Sequence, residues 1–507
     1  MKQEKTTNSL IVLHPEDDVA ICRAQMISGN NADGISVKGL IPAGHKLARR
    51  AIAAGQAVRR YNQIIGFASK AIQAGEHVHT HNLEMGDFDR DYAVGADVKA
   101  EIPRQHAEFM GIRRRNGQIA TRNYIGILSS VNCSTTVARA IADYFKMNNF
   151  LAEFSNIDGI VALTHSAGCG MDDHGAGMQI LQRTLTGYAL HANFSAVLLI
   201  GLGCEANQMG LLLQAGGLHE GENLKTFNIQ DVGGTGKAVE RGIALVKEFL
   251  PNANAIIREP CDVSNIVVGL QCGGSDGYSG ISANPALGHA VDLLVAHGGT
   301  AILSETPEIY GAEHLLTRRA AKPSVAEKLL ERIHWWEEYV RINHGEMNNN
   351  PAPGNKAGGL TTILEKSLGA VAKGGTSNLN AVYEYAQQVS ERGLVYMDTP
   401  GYDPVSATGQ VAGGANVICF TTGRGSAYGC APSPSLKLAT NSDLWRRQEA
   451  DIDINCGEIV DGNATIEEMG ERIFQSILAT ASGRKTKSEL HGYGQNEFVP
   501  WQLGAVM

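Results

Sequence analysis

Apolar residues near the amino terminus come in short runs, at 9–12, 18–24, 34–37, 40–48, 58–61, 64–68 and 76–81, with glycine and polar residues between them. Brief runs broken by turn residues predict a small domain of short β-strands ending near Leu83. Residues 85–105 are charged and have no apolar period, which predicts a linker running over the surface. From Phe109 the pattern changes. A hairpin turned at Asn116-Gly117 is followed by an apolar strand at 124–129, a polar turn at 130–136 and a helical pattern at 137–146. Further apolar strands fall at 160–163, 196–200, 266–270, 299–304 and 417–420, each followed by a polar loop, with an amphipathic helix at 324–341 and a last helix at 466–482. Buried strands alternating with helices predict parallel α/β sheets whose site lies on loops at the carboxyl ends of the strands. The expected division is a β domain over 1–84, a linker over 85–108, a central α/β domain over 109–260 and a carboxyl-terminal α/β domain over 261–507.

Composition narrows the class. Hydrophobic residues are 43% and charged residues 19% of 507, the balance of a globular protein. A net charge of −9 without a long basic run gives no reason to expect a nucleic acid or an anionic membrane as partner. The first nine residues are polar and no apolar window approaches 18 residues, so neither signal peptide nor membrane span is expected, and the expected location is the cytoplasm. Nine cysteines without a CxxC pair argue against a disulfide framework. Cys169, Cys204, Cys272 and Cys456 sit instead on glycine-flanked turns.

Candidate chemistry concentrates in those turns. The stretch 271–288, QCGGSDGYSGISANPALG, follows a strand and enters a helix; its glycines permit close backbone approach, and Asp276, Ser279 and Asn284 offer polar groups to a substrate. His45 and Lys46 follow the turn Pro42-Ala43-Gly44, and His77, His79 and His81 alternate along EHVHTHN, a spacing that puts three imidazoles on one face of a strand. Glu305 and Glu308 follow another strand as possible metal ligands or bases, or as an acidic first helical turn. Asn355 and Lys356 stand in a Pro/Gly frame, with Lys366 and Lys373 as further positive charges. Arg424, between two glycines, suits a carboxylate bidentately, with Ser426 and Tyr428 adding hydroxyls. The motif GLGCEA at 201–206 matches a dinucleotide fingerprint, but the segment after it reads as a loop and Glu205 would repel a phosphate; Cys204 with Glu205 suits a cation better. An NAD-dependent oxidoreductase therefore remains the weakest alternative.

The chain resembles the altronate and galactarate dehydratases over nearly its whole length, through GHK at 44–46, GEHVHTHN at 75–82, IGLGCE at 200–205, QCGGSDGYSGISANPALG at 271–288, SETPE at 304–308, NPAPGNKAGGL at 350–360, EKSLG at 365–369 and FTTGRGSAYG at 420–429. The resemblance implies an amino-terminal β-clip (SAF) domain, a central α/β domain and a carboxyl-terminal domain of uncommon topology. It also implies Fe2+- or Mn2+-dependent loss of water from a hexonate or hexarate, giving a 2-keto-3-deoxy acid. On that footing His45, Lys46 and Lys356 are expected to be catalytic. Asp276, Ser279, Asn284, Asn355, Arg424 and Tyr428 are expected on the substrate, and His79, His81, Cys204, Glu205 and Cys272 on the metal. A small sugar acid is the expected partner, within a homo-oligomer such as a dimer. A lyase that releases sulfite from a sulfolactate-like acid is the alternative within the same architecture. GEHVHTHN looks closer to the altronate branch and TTGRGSAYG to the galactarate branch, so the substrate epimer stays open.

Overall fold

A computed structural model describes residues 8–88, 90–100 and 104–504. The amino-terminal domain is built of strands of two to six residues, among them Val19–Cys22, Lys46–Ala48, Ala57–Arg60, Gln63–Ala68 and His77–Val78. They pair antiparallel in a four-stranded and a three-stranded sheet, closed around Ala48, Ile52, Val58, Ile65 and Val78. Such short strands cannot stand alone, and this domain is docked on the carboxyl-terminal one through the same apolar cluster.

The central domain is a four-stranded parallel sheet of β1 (Tyr124–Ser129), β2 (Gly159–Leu163), β3 (Phe194–Gly201) and β4 (Leu224–Asn228), in the order β2-β1-β3-β4. Helices α1 (Thr135–Met147), α2 (Ala176–Ala189) and α3 (Met209–Gly216) connect them, and α4 (Thr235–Asn254) follows the last strand. β4 corrects the expected loop after GLGCEA: its residues are only half-buried, because it lies at the sheet edge, and their weak apolar period hid the strand. The NAD reading still fails, because the Glu205 carboxylate accepts from the backbone N–H groups of Leu202, at 3.1 Å, and Gly203, at 2.6 Å. Those amides are the ones a pyrophosphate would use.

The carboxyl-terminal domain holds a seven-stranded all-parallel sheet. It comprises β5 (Val267–Cys272), β6 (Thr300–Leu303), β7 (Leu379–Tyr383), β8 (Gly393–Met397), β9 (Val417–Thr422), β10 (Ser435–Ala439) and β11 (Ile454–Asn455). The order is β7-β8-β6-β5-β9-β10-β11, with strand direction retained throughout. Helix α5 (Ala283–Ala296) leaves the glycine-rich loop after β5, α6 (Pro323–Ile342) covers a flank, and α7 (Ile363–Val371) faces the amino-terminal domain. Glu108–Arg113 pairs antiparallel with Glu259–Asp262, clamping the entry to the central domain against its exit. Among the described residues no helix is long and apolar enough to cross a membrane.

Candidate functional site at the domain seam

The seam between the first and third domains is fixed by a buried charge network. Lys46 Nζ donates to both carboxylate oxygens of Glu365, at 2.9 and 2.8 Å, and to Gly359 O at 2.6 Å. Arg60 donates to the same carboxylate at 2.6 Å and to Gly277 O at 2.8 Å. Burial alone would raise the Glu365 carboxyl, but Lys46 and Arg60 outweigh it and hold it at about 2. Lys46, expected to be catalytic, thus has its ammonium committed to the seam, because an unpaired buried cation would be far costlier. Gly277 explains part of the opening motif: a Cβ there would lie 2.0 Å from Gly44 O, so only glycine lets the turn before His45 seat itself.

That seated turn presents an imidazole cluster. His45 Nδ1 and His77 Nε2 stand 3.0 Å apart, and candidate ligand atoms of His45, His77 and His79 all lie within 4.8 Å of one another. The strand ends at Val78 and a tight turn follows, in which the Asn82 side chain accepts from His79 N and donates to His77 O. This turn, rather than a period-two strand face, brings His79 inward and leaves His81 exposed at the rim, its ring 5.4 Å from that of His77. Burial first and the neighbouring imidazoles next hold His77 down to about 3; burial and Lys46 hold His79 down to about 4. Burial also lowers His45. All three are therefore neutral near pH 7, the form that ligates metals. His45 Nε2 lies 3.2 Å from Ala357 O, a partner that fixes this nitrogen as the donor and leaves Nδ1 with a lone pair. Two imidazole nitrogens at about 2.1 Å from one ion and at right angles stand roughly 3.0 Å apart, the observed separation. The buried His79 Nδ1 has no hydrogen-bond partner. The donor set fits a divalent ion.

A second cluster lies deeper, at the carboxyl ends of β5 and β6. Cys272, Glu305 and Glu308 converge there with Lys366 and Lys373. Lys373 Nζ is 3.0 Å from Cys272 Sγ and 3.2 Å from Glu305, and Lys366 donates to Glu308 at 2.7 Å. Burial and the facing Glu308 push Glu305 up to about 8, whereas the two lysines outweigh burial and lower Glu308. Glu305 sits in the left-handed region at φ 72°, and its Oε1 is buried without a partner, a strained position of the kind that marks functional sites. Its two ammonium groups already occupy the place of a cation, so this donor set fits a divalent ion less well than the imidazoles do.

The remaining expected residues are dispersed. Asp276 is fully engaged: Thr440 donates at 2.9 and 3.0 Å, and Asn441 and Ser279 donate at 3.0 Å each. Asn284 donates to Gly369 O and accepts from Thr421, and Asn355 donates to Ser275 O, so both brace loops around the seam. Lys356 is half-exposed on the short helix Pro353–Ala357, next to the carbonyl that His45 meets, and Arg424 is exposed beside Gly274. Tyr428 lies elsewhere, stacked on Phe420 at 4.8 Å in the core, because its ring is worth more buried than its hydroxyl is solvated. Cys204 and Glu205 follow β3 in the central domain and belong to neither cluster. Glu365, Arg60 and Asp403, which burial and then Glu308 raise to about 6, carried no recognisable signal; Glu365 lies inside EKSLG but only the folded chain places it against Lys46.

Comparison with known proteins agrees with this architecture. Sequence models match in order: the altronate/galactarate dehydratase SAF domain at 8–86, the second domain of D-galactarate dehydratase/altronate hydrolase at 111–254, and the D-galactarate/altronate dehydratase carboxyl-terminal domain at 263–506. The chain belongs to the galactarate and altronate dehydratase family. It is 37% identical to galactarate dehydratase (L-threo-forming) of Escherichia coli strain K12 over 501 residues, 96% of this chain and 95% of that one. It is 33% identical to altronate dehydratase of Bacillus subtilis strain 168 over 493 residues, 96% and 97% of the two chains. The beta subunit of (2R)-sulfolactate sulfo-lyase from Chromohalobacter salexigens is 32% identical over 398 residues, 78% of this chain and 97% of that one.

Proposed function

We propose that the protein is a hydro-lyase that removes water from a sugar acid of the hexonate or hexarate type, giving a 2-keto-3-deoxy acid, at the seam between the first and third domains. The observation that carries this reading beyond family membership is the neutral His45/His77/His79 cluster, completed by Ala357 of the third domain and half-open to solvent. Fe2+ or Mn2+ held there by the three imidazoles would stabilise the charge that builds on a carboxylate when its α-proton leaves. The chain's own residues do the rest. Arg424, exposed beside Gly274, and Lys356, half-exposed on the helix that ends at Ala357, hold the substrate carboxylate. His81, exposed at the rim and outside the ligand set, is free to accept a proton and return it to the departing hydroxyl. Lys46 and Glu365 lock the first domain in place, so that the imidazoles are held where the third domain needs them.

The test is an anaerobic assay of the purified chain with added Fe2+ or Mn2+, then with chelator, on a panel of hexonates and hexarates that includes altronate and galactarate. Keto-deoxy acid from one epimer, abolished by chelation, supports the reading and names the substrate. A product that survives complete metal removal, or no product from any sugar acid, overturns it; sulfite release from sulfolactate by the same preparation would instead favour the sulfo-lyase alternative, which the 32% identity to that beta subunit keeps in view.

A further inference from the structure

Nine cysteines are free, and six of them are buried; the three exposed ones, Cys133, Cys169 and Cys204, all lie in the central domain. They are not scattered over it. Cys133 follows the carboxyl end of β1, Cys169 that of β2 and Cys204 that of β3, and these three strands are neighbours in the order β2-β1-β3. Three thiols therefore crown one end of a parallel sheet, the end at which α/β sheets bind their ligands. Exposed thiols are otherwise uncommon, since free cysteine is among the most buried residue types.

The three loops are bound to one another. Asn132 N donates to Ala167 O at 3.0 Å, and Asn207 N donates to Gly168 O at 3.0 Å, while the Asn207 side chain donates to Ser130 O at 3.0 Å. Ser130 Oγ donates to Glu205 at 2.7 Å. A Cβ on Gly168, at φ 101°, would lie 2.5 Å from Ser130 O, so the loop carrying Cys169 can only close on the loop carrying Cys133 with glycine there. The buried Glu205 thus holds the Cys204 turn, and its role is positional. The thiol itself is left outside, with Gln230 Nε2 at 3.4 Å from its sulfur.

The donor set is all sulfur, which selects thiophilic metals over the oxygen-loving ions. The sulfurs do not draw in to within 4.8 Å of one another as the ligand atoms of the other two clusters do. A single tetrahedral ion needs thiolates about 2.3 Å from itself, hence roughly 3.8 Å apart. A polynuclear group, whose ligands attach to different metal atoms, accepts the wider spacing.

We propose that Cys133, Cys169 and Cys204 bind a [4Fe–4S] cluster through three thiolates at the carboxyl edge of the central sheet, leaving the fourth iron open to a small oxygen ligand. Insertion of a preformed cluster requires no electrons: three thiolate ligands of a dithiothreitol-bound cluster leave its irons, each taking up the proton of one cysteine thiol, as three iron–cysteine bonds form. The three thiols come from the central domain alone, and the assignment stands whether or not the chain dehydrates a sugar acid.

The full-length chain is reconstituted anaerobically with equimolar Fe2+ and Fe3+, sulfide and dithiothreitol, desalted, and analysed for iron, acid-labile sulfide and visible absorbance. About four iron and four sulfide per chain are expected. Each of C133S, C169S and C204S should lose most of both while keeping the wild-type circular dichroism spectrum, as exposed positions allow, whereas C261S should retain both. Mass spectrometric mapping of iodoacetamide labelling on the wild-type chain gives a readout independent of the variants: all three thiols should be labelled in the apo form and protected after reconstitution. Iron without sulfide, uptake of a single zinc in preference, a cluster that persists in the three variants, or unchanged labelling would each overturn the assignment.

Discussion

Replacing Glu365 by glutamine tests whether the seam is held by charge. Its carboxylate is fully buried and accepts from Lys46, Arg60 and both the backbone and side chain of Thr361, the last two at 2.9 and 2.7 Å. The carboxyl is displaced from 4.5 to about 2. At about 1.4 kcal/mol for each pH unit this amounts to roughly 3 kcal/mol. Breaking a buried pair by removing one partner costs about 3–5 kcal/mol, so the two routes agree. The folded value is depressed, so this contribution is fully present above pH 4.5 and is lost as pH falls toward 2. Because a three-domain chain need not unfold in two states, the assay is hydrogen exchange of the seam strands Lys46–Ala48 and Gln63–Ala68, whose protection reports local opening. Protection in E365Q should fall by about a hundredfold or more at pH 7, and the gap from wild type should stay constant down to pH 5 and narrow by about 1 kcal/mol at pH 4. A loss below about fivefold, or a gap that does not shrink in acid, would refute the ionic account of docking.

Arg424→Ala should raise KM and lower kcat with the thermal transition unmoved, since the side chain is exposed; unchanged kinetics would remove it from the site. His79→Ala should lower bound Fe2+ or Mn2+ and reduce turnover by at least about 10²-fold, measured by metal analysis and product formation, and full metal retention would move the ion elsewhere. Gly277→Ala places a carbon 2.0 Å from Gly44 O, so it should displace the first domain at a cost of about 1–3 kcal/mol, read as faster exchange at Lys46–Ala48; a wild-type exchange profile would show the contact to be soft.

The strand and helix pattern was readable wherever apolar residues repeat with a clear period. The helix expected at 324–341 is Pro323–Ile342, and that at 466–482 is Ile466–Ala481. β4 was missed because an edge strand is only half-buried. The histidine spacing pointed to a cluster, although its geometry comes from a turn stabilised by Asn82 and from His45, which arrives on the turn before the strand Lys46–Ala48. Lys366 and Lys373 read as solvent-facing or substrate-binding charges; both are buried, Lys366 on α7, which is covered on every side, and Lys373 in the turn after it, and their ammonium groups meet Glu308 and Glu305. No local pattern can report such pairings, since each joins residues from separate loops that only the folded sheet brings together.

The glycine-rich stretch 271–288 shows how a motif can look like a ligand loop and act largely as a docking surface. Asp276 spends its acceptors on Thr440, Asn441 and Ser279, Tyr278 donates to Cys22 O and Arg23 O at 3.0 Å, and Gly277 gives up its side-chain space to Gly44. The first domain therefore rests on the loop after β5, and Cys272, at the root of that loop, belongs to the deeper thiol–carboxylate cluster. One loop thus supports the imidazoles above and closes the charge network below. A shift of the first domain would disturb the His45–Ala357 contact and the Lys46–Glu365 pair together, since adjacent residues carry them. Metal affinity at the imidazoles should accordingly fall in E365Q and G277A, neither of which touches a ligand, and should fall in proportion to the loss of protection at the seam.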